Sequence, residues 1–402
     1  MTSPKSVAMP AYRIDDKFRR HIARCLNFLA PIEGATYADL DALTNLDRFI
    51  WAMLQTTDDP FQIRVVKRTW REPVIDTPGP PYTVPVIGFP KTASPNVSNP
   101  AARKLADQIQ QFSNRSAFPS PTHSAVNQLL FAPHIRLLLD LFDRHPIRDY
   151  IGRGLDLNRI VSQGRIRAEI YNDFVARFRQ EMRARNLMRR ELHNWNLGSD
   201  ENVPNLNSYL DGLFAKHGTL TVQHFSLFHA WTRSNLVLAP VEGQHNDLRG
   251  LRACRAKFFD CMRRKPALFT EDPGYVWSIL PTLDGGYALH LTLLFSTVAL
   301  HKVLDDKRVE ATQARTALQD HADQVGVYWV ERATGGLGCY QRGDKIVGFY
   351  GPDWVDGEVR ADDLAGRQRL TETLGYLARR RALVRLKNEP KGPYFGMPNR
   401  QS

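Results

Sequence analysis

Cysteine is scarce: Cys25, Cys254, Cys261 and Cys339 are the four in 402 residues. None forms a C-x-x-C pair, and no Cys/His group has zinc-finger spacing, which excludes the usual structural zinc sites. So few cysteines in so long a chain read as a reduced, cytoplasmic protein. Long apolar runs are missing too. Met1 to Tyr12 lacks an apolar core of signal-peptide length, and the most apolar stretch, 287–304, is broken by His290, His301 and Lys302. It is too short to span a bilayer, so no membrane partner is expected. A phosphate-cradling glycine loop is lacking as well. Gly335-Gly336-Leu337-Gly338 is not followed by Lys-Ser/Thr, and there is no serine-hydrolase elbow. No internal repeat is present.

What is abundant is positive charge. Fifty-four Lys and Arg stand against 42 Asp and Glu, a formal net charge of +12. Such a balance favours polyanionic partners, with nucleic acid first and an anionic membrane surface second. Hydrophobic residues at 43% and charged residues at 24% fit a folded chain, and 402 residues exceed one ordinary core.

Composition divides the chain into four parts: a helical segment over 1–70, a proline-rich irregular linker over 71–130, a basic helical region over 131–204 and an α+β domain over 205–397. Eight prolines between Arg71 and Pro100 forbid a regular helix there. In the third part Ile170, Phe174, Phe178 and Met182 recur every four residues, giving a helix with one buried stripe and arginines on its other sides. Those arginines suit either a solvated face or contact with phosphates. A polar break is read at Gly198 to Pro204. Beyond it the expected order is strand (220–229), helix (248–262), strands (275–280 and 286–295), helix (314–330), strand (339–349) and helix (362–386). That order describes an antiparallel sheet with helices on one face, the ferredoxin-like or split β-α-β plan.

The strand Gly286 to Phe295 alternates Tyr287, Leu289, Leu291, Leu293 and Phe295 with Ala288, His290 and Thr292. The first set would pack under the helices, leaving His290 on an uncovered face. With Phe225 and Leu227 turned inward, His224 and Ser226 share that face, and two imidazoles on neighbouring strands suit a divalent metal. The plainer alternative is a histidine satisfied by one hydrogen bond on a wet sheet.

Farther along, Tyr376 is followed by Arg379 and Arg380, three and four residues on, the spacing of neighbours on a helix surface. Guanidiniums there would favour a phenolate and steady a phosphate, as a tyrosine nucleophile requires. An ordinary amphipathic helix gives the same pattern. Arg249, Arg252, Arg255, Lys257, Arg263, Arg264 and Lys265 make seven basic residues against the single acid Asp260. They form either a backbone-tracking surface or the solvated back of a packed helix.

Read together, 205–397 resembles the inovirus-type gene 2 protein family, also described as the YagK/YfjJ C-terminal domain. The matching stretches are Tyr209-Leu210-Asp211-Gly212-Leu213-Phe214, Tyr275-Val276-Trp277, Gly286 to Phe295, Val327-Tyr328-Trp329-Val330, Arg367 to Arg380 and Tyr394-Phe395-Gly396. The resemblance implies a replication initiator of a phage or integrated element, related to rolling-circle initiators of the His-hydrophobic-His class. It implies Mg²⁺ or Mn²⁺ held by strand histidines, here His290 with His224, and Tyr376 joined covalently to a DNA 5′ end. It also implies single-stranded or origin DNA, and host replication proteins, as partners. The sequence departs from the pattern at Ala288, where the family's first histidine falls, and at about Leu280, where an acid is expected. Two readings follow: a tyrosine-dependent nickase, or a non-catalytic DNA-binding protein on a degenerate initiator fold. RNA binding is a third reading, but Ala288, His290 and Thr292 are not the stacking aromatics an RNA-recognition sheet presents.

Overall fold

The computed structural model describes residues 38–74, 82–114, 129–151, 156–161, 164–187, 189–230, 240–282, 286–345, 354–379, 384–387 and 390–398. The chain divides into two compact units. The first holds Asn45–Phe118 and Pro133–His193, and the second is built mainly from Asn194–Ser402.

In the first unit, helix α1 (Ala38–Leu54) is followed by strands β1 (Phe61–Val65), β2 (Arg68–Val74), β3 (Tyr82–Gly88) and β4 (Lys91–Pro95). Helices α2 (Pro100–Asn114), α3 (Pro133–Arg144) and α4 (Arg167–Ala184) complete it. The proline-rich stretch expected to be irregular therefore carries regular strands. A two-stranded ladder consists of edges only, so prolines such as Pro73 and Pro85 can turn the side without an N–H outward. As its spacing predicts, α4 buries Ile170, Phe174, Phe178 and Met182. The arginines around them serve the fold. Arg167 and Arg179 are buried, while Arg165 and Arg177 both pair with Asp173.

In the second unit, strand β5 (Leu129–Phe131) precedes helix α5 (Glu191–His217), which runs through Gly198 and Pro204, where a polar break was expected. It leads to β6 (Thr219–Phe228), α6 (Val241–Met262), the short α7 (Pro266–Phe269), β7 (Gly274–Thr282) and β8 (Gly286–Ser296). Next come α8 (Thr297–Ala314), α9 (His321–Tyr328) with a single π-helical turn at Trp329–Ala333, β9 (Cys339–Arg342), β10 (Gly357–Arg360) and α10 (Leu364–Arg379). The helix expected over 314–330 thus begins only at His321, after the exposed segment 315–320 with Arg315 left-handed at φ 52°, and α8 before it was not expected. The tyrosine helix stops at Arg379, and Val384–Leu386 forms a strand. The sheet is antiparallel, with β8 between β6 and β7, a two-residue strand at Phe395–Gly396 on β7, and β9 and β10 sharing the outer side of β6.

This is the α+β class read from the sequence, with one difference: helices cover both faces. On one side Phe225, Leu289, Leu291, Leu293 and Phe295 meet Leu248, Leu251 and Phe258 of α6 and Val325 of α9. On the other, Val222, Val276 and Leu294 meet Leu206, Leu210 and Phe214 of α5 and Leu370, Leu374 and Leu377 of α10. The face expected to be uncovered is a second core.

Candidate nucleic-acid interface

The second core removes the histidines from solvent. His290 and His224 are 1% and 2% exposed. They are diagonal neighbours on adjacent strands, since Ser226 is opposite His290 and Thr292 opposite His224. Both ring nitrogens of His224 are engaged: Nε2 lies 2.8 Å from the Val355 carbonyl and Nδ1 lies 2.7 Å from the Thr292 hydroxyl. A carbonyl only accepts, so Nε2 carries the hydrogen and Nδ1 accepts the Thr292 O–H. Burial pushes the His224 pKa down to about 3, with the Val355 bond opposing it, and the Trp354 ring sits 4.3 Å away. His290 Nδ1 lies 3.3 Å from Ser226 Oγ.

These residues do not fit a bound Mg²⁺ or Mn²⁺. His224 offers no lone pair, Ala288 and Leu280 offer no donor, and hard cations want several oxygen ligands. Among the described residues, no group of three or more His, Cys, Asp or Glu is placed to hold a metal ion. The expectation that His290 and His224 stand on an uncovered face of the sheet is corrected accordingly.

Tyr376 and Arg379 are half-buried on α10. The face of that helix turned to the sheet is Leu370, Leu374 and Leu377, and Ser278 Oγ bonds the Leu377 carbonyl at 3.1 Å. Arg380 lies outside the described residues.

The basic helix α6 is brought to the β7 edge of the sheet. Its apolar face, Leu248, Leu251, Phe258 and Met262, enters the core, which leaves Arg249, Lys257, Arg263, Arg264 and Lys265 exposed. Between the two sides run Arg252, Arg255 and Phe259, spaced three and four residues apart. The Arg255 guanidinium lies 3.9 Å over the Trp277 ring, and Arg252 lies 4.7 Å over Tyr394. Phe259 stacks on Tyr275 with centroids 4.3 Å apart and planes 23° from parallel. Aromatic plates thus alternate with flat cations along one edge. Arg263 is partly neutralised by Asp260.

The segment after α10 clamps this edge. Arg252 donates to the carbonyls of Lys391 at 3.0 Å and Pro390 at 3.5 Å. Gly392, at φ 143°, passes so close that a Cβ would stand 2.8 Å from the Arg252 Cζ. A Cβ at Gly396 would come within 2.6 Å of the Trp277 indole.

At the opposite, β6 edge lies a pocket of about 540 Å³ bordered by Gln223, His301, Asp320, Arg342, Asp344 and Asp356. Arg342 is held by Asp320 at 2.6 Å, Asp323 at 3.0 Å and Asp344 at 2.5 Å. The Asp356 carboxyl faces this pocket although the residue as a whole is exposed, and desolvation together with Asp344 pushes its pKa up to about 6. So acidic a pocket repels phosphates and separates the two edges electrostatically. It was missed from sequence because its carboxylates come from three separate segments.

Comparison with family models, with curated proteins and with solved structures gives no match to this chain. Among the described residues, no helix is long and apolar enough to cross a membrane.

Proposed function

We propose that the second unit binds DNA, single-stranded or at an origin, along the α6 edge of the sheet, and does so without cutting it. The observation that carries this reading is the row of cations on α6, two of whose guanidiniums lie over the rings of Trp277 and Tyr394. Exposed Arg and Lys neutralise phosphates, while the guanidinium planes held over these rings offer stacking surfaces to unpaired bases. Non-catalytic binding is favoured over nicking because the two histidines assigned to the metal are core residues, one of them hydrogen-bonded through both nitrogens.

The test has two parts. Binding of a labelled 30-nucleotide DNA is followed by fluorescence anisotropy between 50 and 200 mM salt. The triple variant Arg249→Glu, Lys257→Glu, Arg264→Glu should bind at least tenfold more weakly, with a flatter salt slope. The same DNA is then incubated with Mn²⁺ and run on a denaturing gel beside Tyr376→Phe. No covalent band is expected; a band absent only from the Tyr376→Phe lane would establish the nickase instead.

A further inference from the structure

The four strands of the first unit are one object. Phe61 pairs with Pro95 and Val65 with Lys91, and Arg68 pairs with Gly88 and Val74 with Tyr82. Counting inward from either ladder puts Val66 opposite Pro90 and Lys67 opposite Phe89, so the register never slips between the two. The Val66 N–H bonds the Pro90 carbonyl at 3.0 Å and bridges the gap on the same register. Residues 61–74 and 82–95 are therefore one bulge-free antiparallel ribbon, roughly 43 Å long at about 3.3 Å per residue.

The base of this ribbon is embedded. The Asn172 side chain, on α4, treats Phe61 as a neighbouring strand would: Oδ1 accepts its N–H at 3.2 Å and Nδ2 donates to its carbonyl at 2.8 Å. Lys91 pairs with Glu169 at 2.8 Å, and the Ala93 N–H bonds Asn158 at 2.7 Å. From Arg64 outward the chain is exposed through Thr69, with Val65 at 62% and Phe89 at 63%. The first strand, 61–74, carries Arg64, Lys67, Arg68 and Arg71 against Glu72 alone.

We infer that this ribbon is a second nucleic-acid element, an arm that enters the major groove of duplex DNA. A two-stranded ribbon fits a groove about 12 Å wide, where an isolated strand would leave it half empty. Alternation sends Arg64 and Arg68 to one face and Lys67 to the other, so both faces of the ribbon carry cations that can reach backbone phosphates. Phe89 and Val65 share the Lys67 face and offer the apolar contact that a thymine methyl accepts. Strand exchange with a second copy is the competing use of such an arm, and the prolines argue against it. Pro73, Pro85 and Pro95 fall at positions whose N–H would point outward, and so remove donors that a further strand would need.

The inference rests on residues separate from those of α6, so either can fail alone. The full-length protein and the variant Arg64→Glu, Lys67→Glu, Arg68→Glu are titrated with a 30-base-pair DNA duplex, one of its strands, and a duplex RNA of the same sequence. Melting temperature and sedimentation mass are measured alongside. Expected are a loss of at least tenfold in duplex DNA affinity, a salt slope reduced by about 0.9 for each contact removed, and single-strand binding within about twofold. The wild type should prefer duplex DNA to duplex RNA, whose major groove is too narrow to admit a ribbon. Unchanged duplex affinity, an equal loss on the single strand, or equal binding of duplex RNA would each overturn the arm. So would a change of mass in place of a change in binding, which would assign the ribbon to contacts between copies. Should the triple variant not fold, Lys67→Ala with Phe89→Ala decides: a threefold or greater loss supports the arm and no loss rejects it.

Discussion

The hydroxyl of Thr292 donates to Nδ1 of His224 across two neighbouring strands at 2.7 Å, fixing the imidazole in the tautomer that donates from Nε2 to Val355. The pair is a piece of core polarity, fully made and fully internal, and its consequence is thermodynamic. The folded-state pKa of His224 lies at about 3, below the unfolded value of about 6.5. Between those limits the unfolded chain binds the extra proton, so stability falls as pH drops below 6.5. Burial lowers His321 and His145 in the same direction. Thermal melts between pH 7 and 5 should show a falling melting temperature, and His224→Gln should flatten that fall by about one proton. An unchanged slope in His224→Gln would mean the ring is charged in the fold.

Arg179 holds the end of α1. Its Nε and two Nη groups donate to the carbonyls of Met53 at 2.8 Å, Thr57 at 3.1 Å and Asp58 at 3.0 Å. Burial brings its pKa down to about 10, still charged at neutral pH, with Asp59 opposing the shift and Arg183 adding to it. Carbonyls at a helix C-terminus carry partial negative charge, and one guanidinium answers Met53 in the last turn together with two carbonyls just beyond it. Arg179→Met should cost about 3 kcal/mol in chemical denaturation, because the carbonyls lose their donors inside the protein. Arg179→Lys should recover only part of this, since an ammonium lacks the forked geometry. DNA binding by α6 should not change.

Much of this was readable in the sequence. The strand Gly286 to Phe295 and the stripe Ile170-Phe174-Phe178-Met182 lie where periodicity puts them. The second core was not foreseen, because Ala288, His290 and Thr292 alternate with large apolar residues and pass for an exposed face. The contrary signals lay elsewhere: Leu206, Leu210 and Phe214, then Leu370, Leu374 and Leu377, are helical stripes that need a sheet to cover. The ribbon was missed because proline was weighed as a helix breaker, while its tolerance on edge strands was not. No local pattern could bring Arg252 to Pro390 or Arg255 to Trp277; such contacts belong to the tertiary fold.

Gly392 is the point where the C-terminal segment depends on one missing atom. At φ 143° a side chain is strained, and a Cβ there would press on the Arg252 guanidinium at 2.8 Å. Gly392→Ala should cost about 1–3 kcal/mol and loosen Arg252 from Lys391 and Pro390. Hydrogen exchange should rise at Ile279, whose N–H bonds the Tyr394 carbonyl at 2.8 Å, and should stay unchanged at the β6–β8 pairing. Uniform exchange in the variant would show that the clamp bears no strain.

Charge and shape at the α6 edge can be separated at Arg255. Its guanidinium lies 3.9 Å over Trp277, and burial pulls its pKa down, helped by Arg252 and opposed by Tyr275. Arg255→Lys keeps the charge but loses the flat plate, at a stability cost of about 0.5–1 kcal/mol from the cation–π contact. If the edge attracted phosphates alone, this variant would bind DNA as the wild type does, because a point charge serves a phosphate as well. A stacking edge behaves differently: Arg255→Lys should lower affinity for a 30-nucleotide single strand three- to tenfold, and Arg255→Ala should lower it further. Salt sensitivity should be kept in the lysine variant and reduced in the alanine variant. Equal affinity of Arg255→Lys and wild type across the salt range would reduce the edge to its charge and remove the stacking contribution.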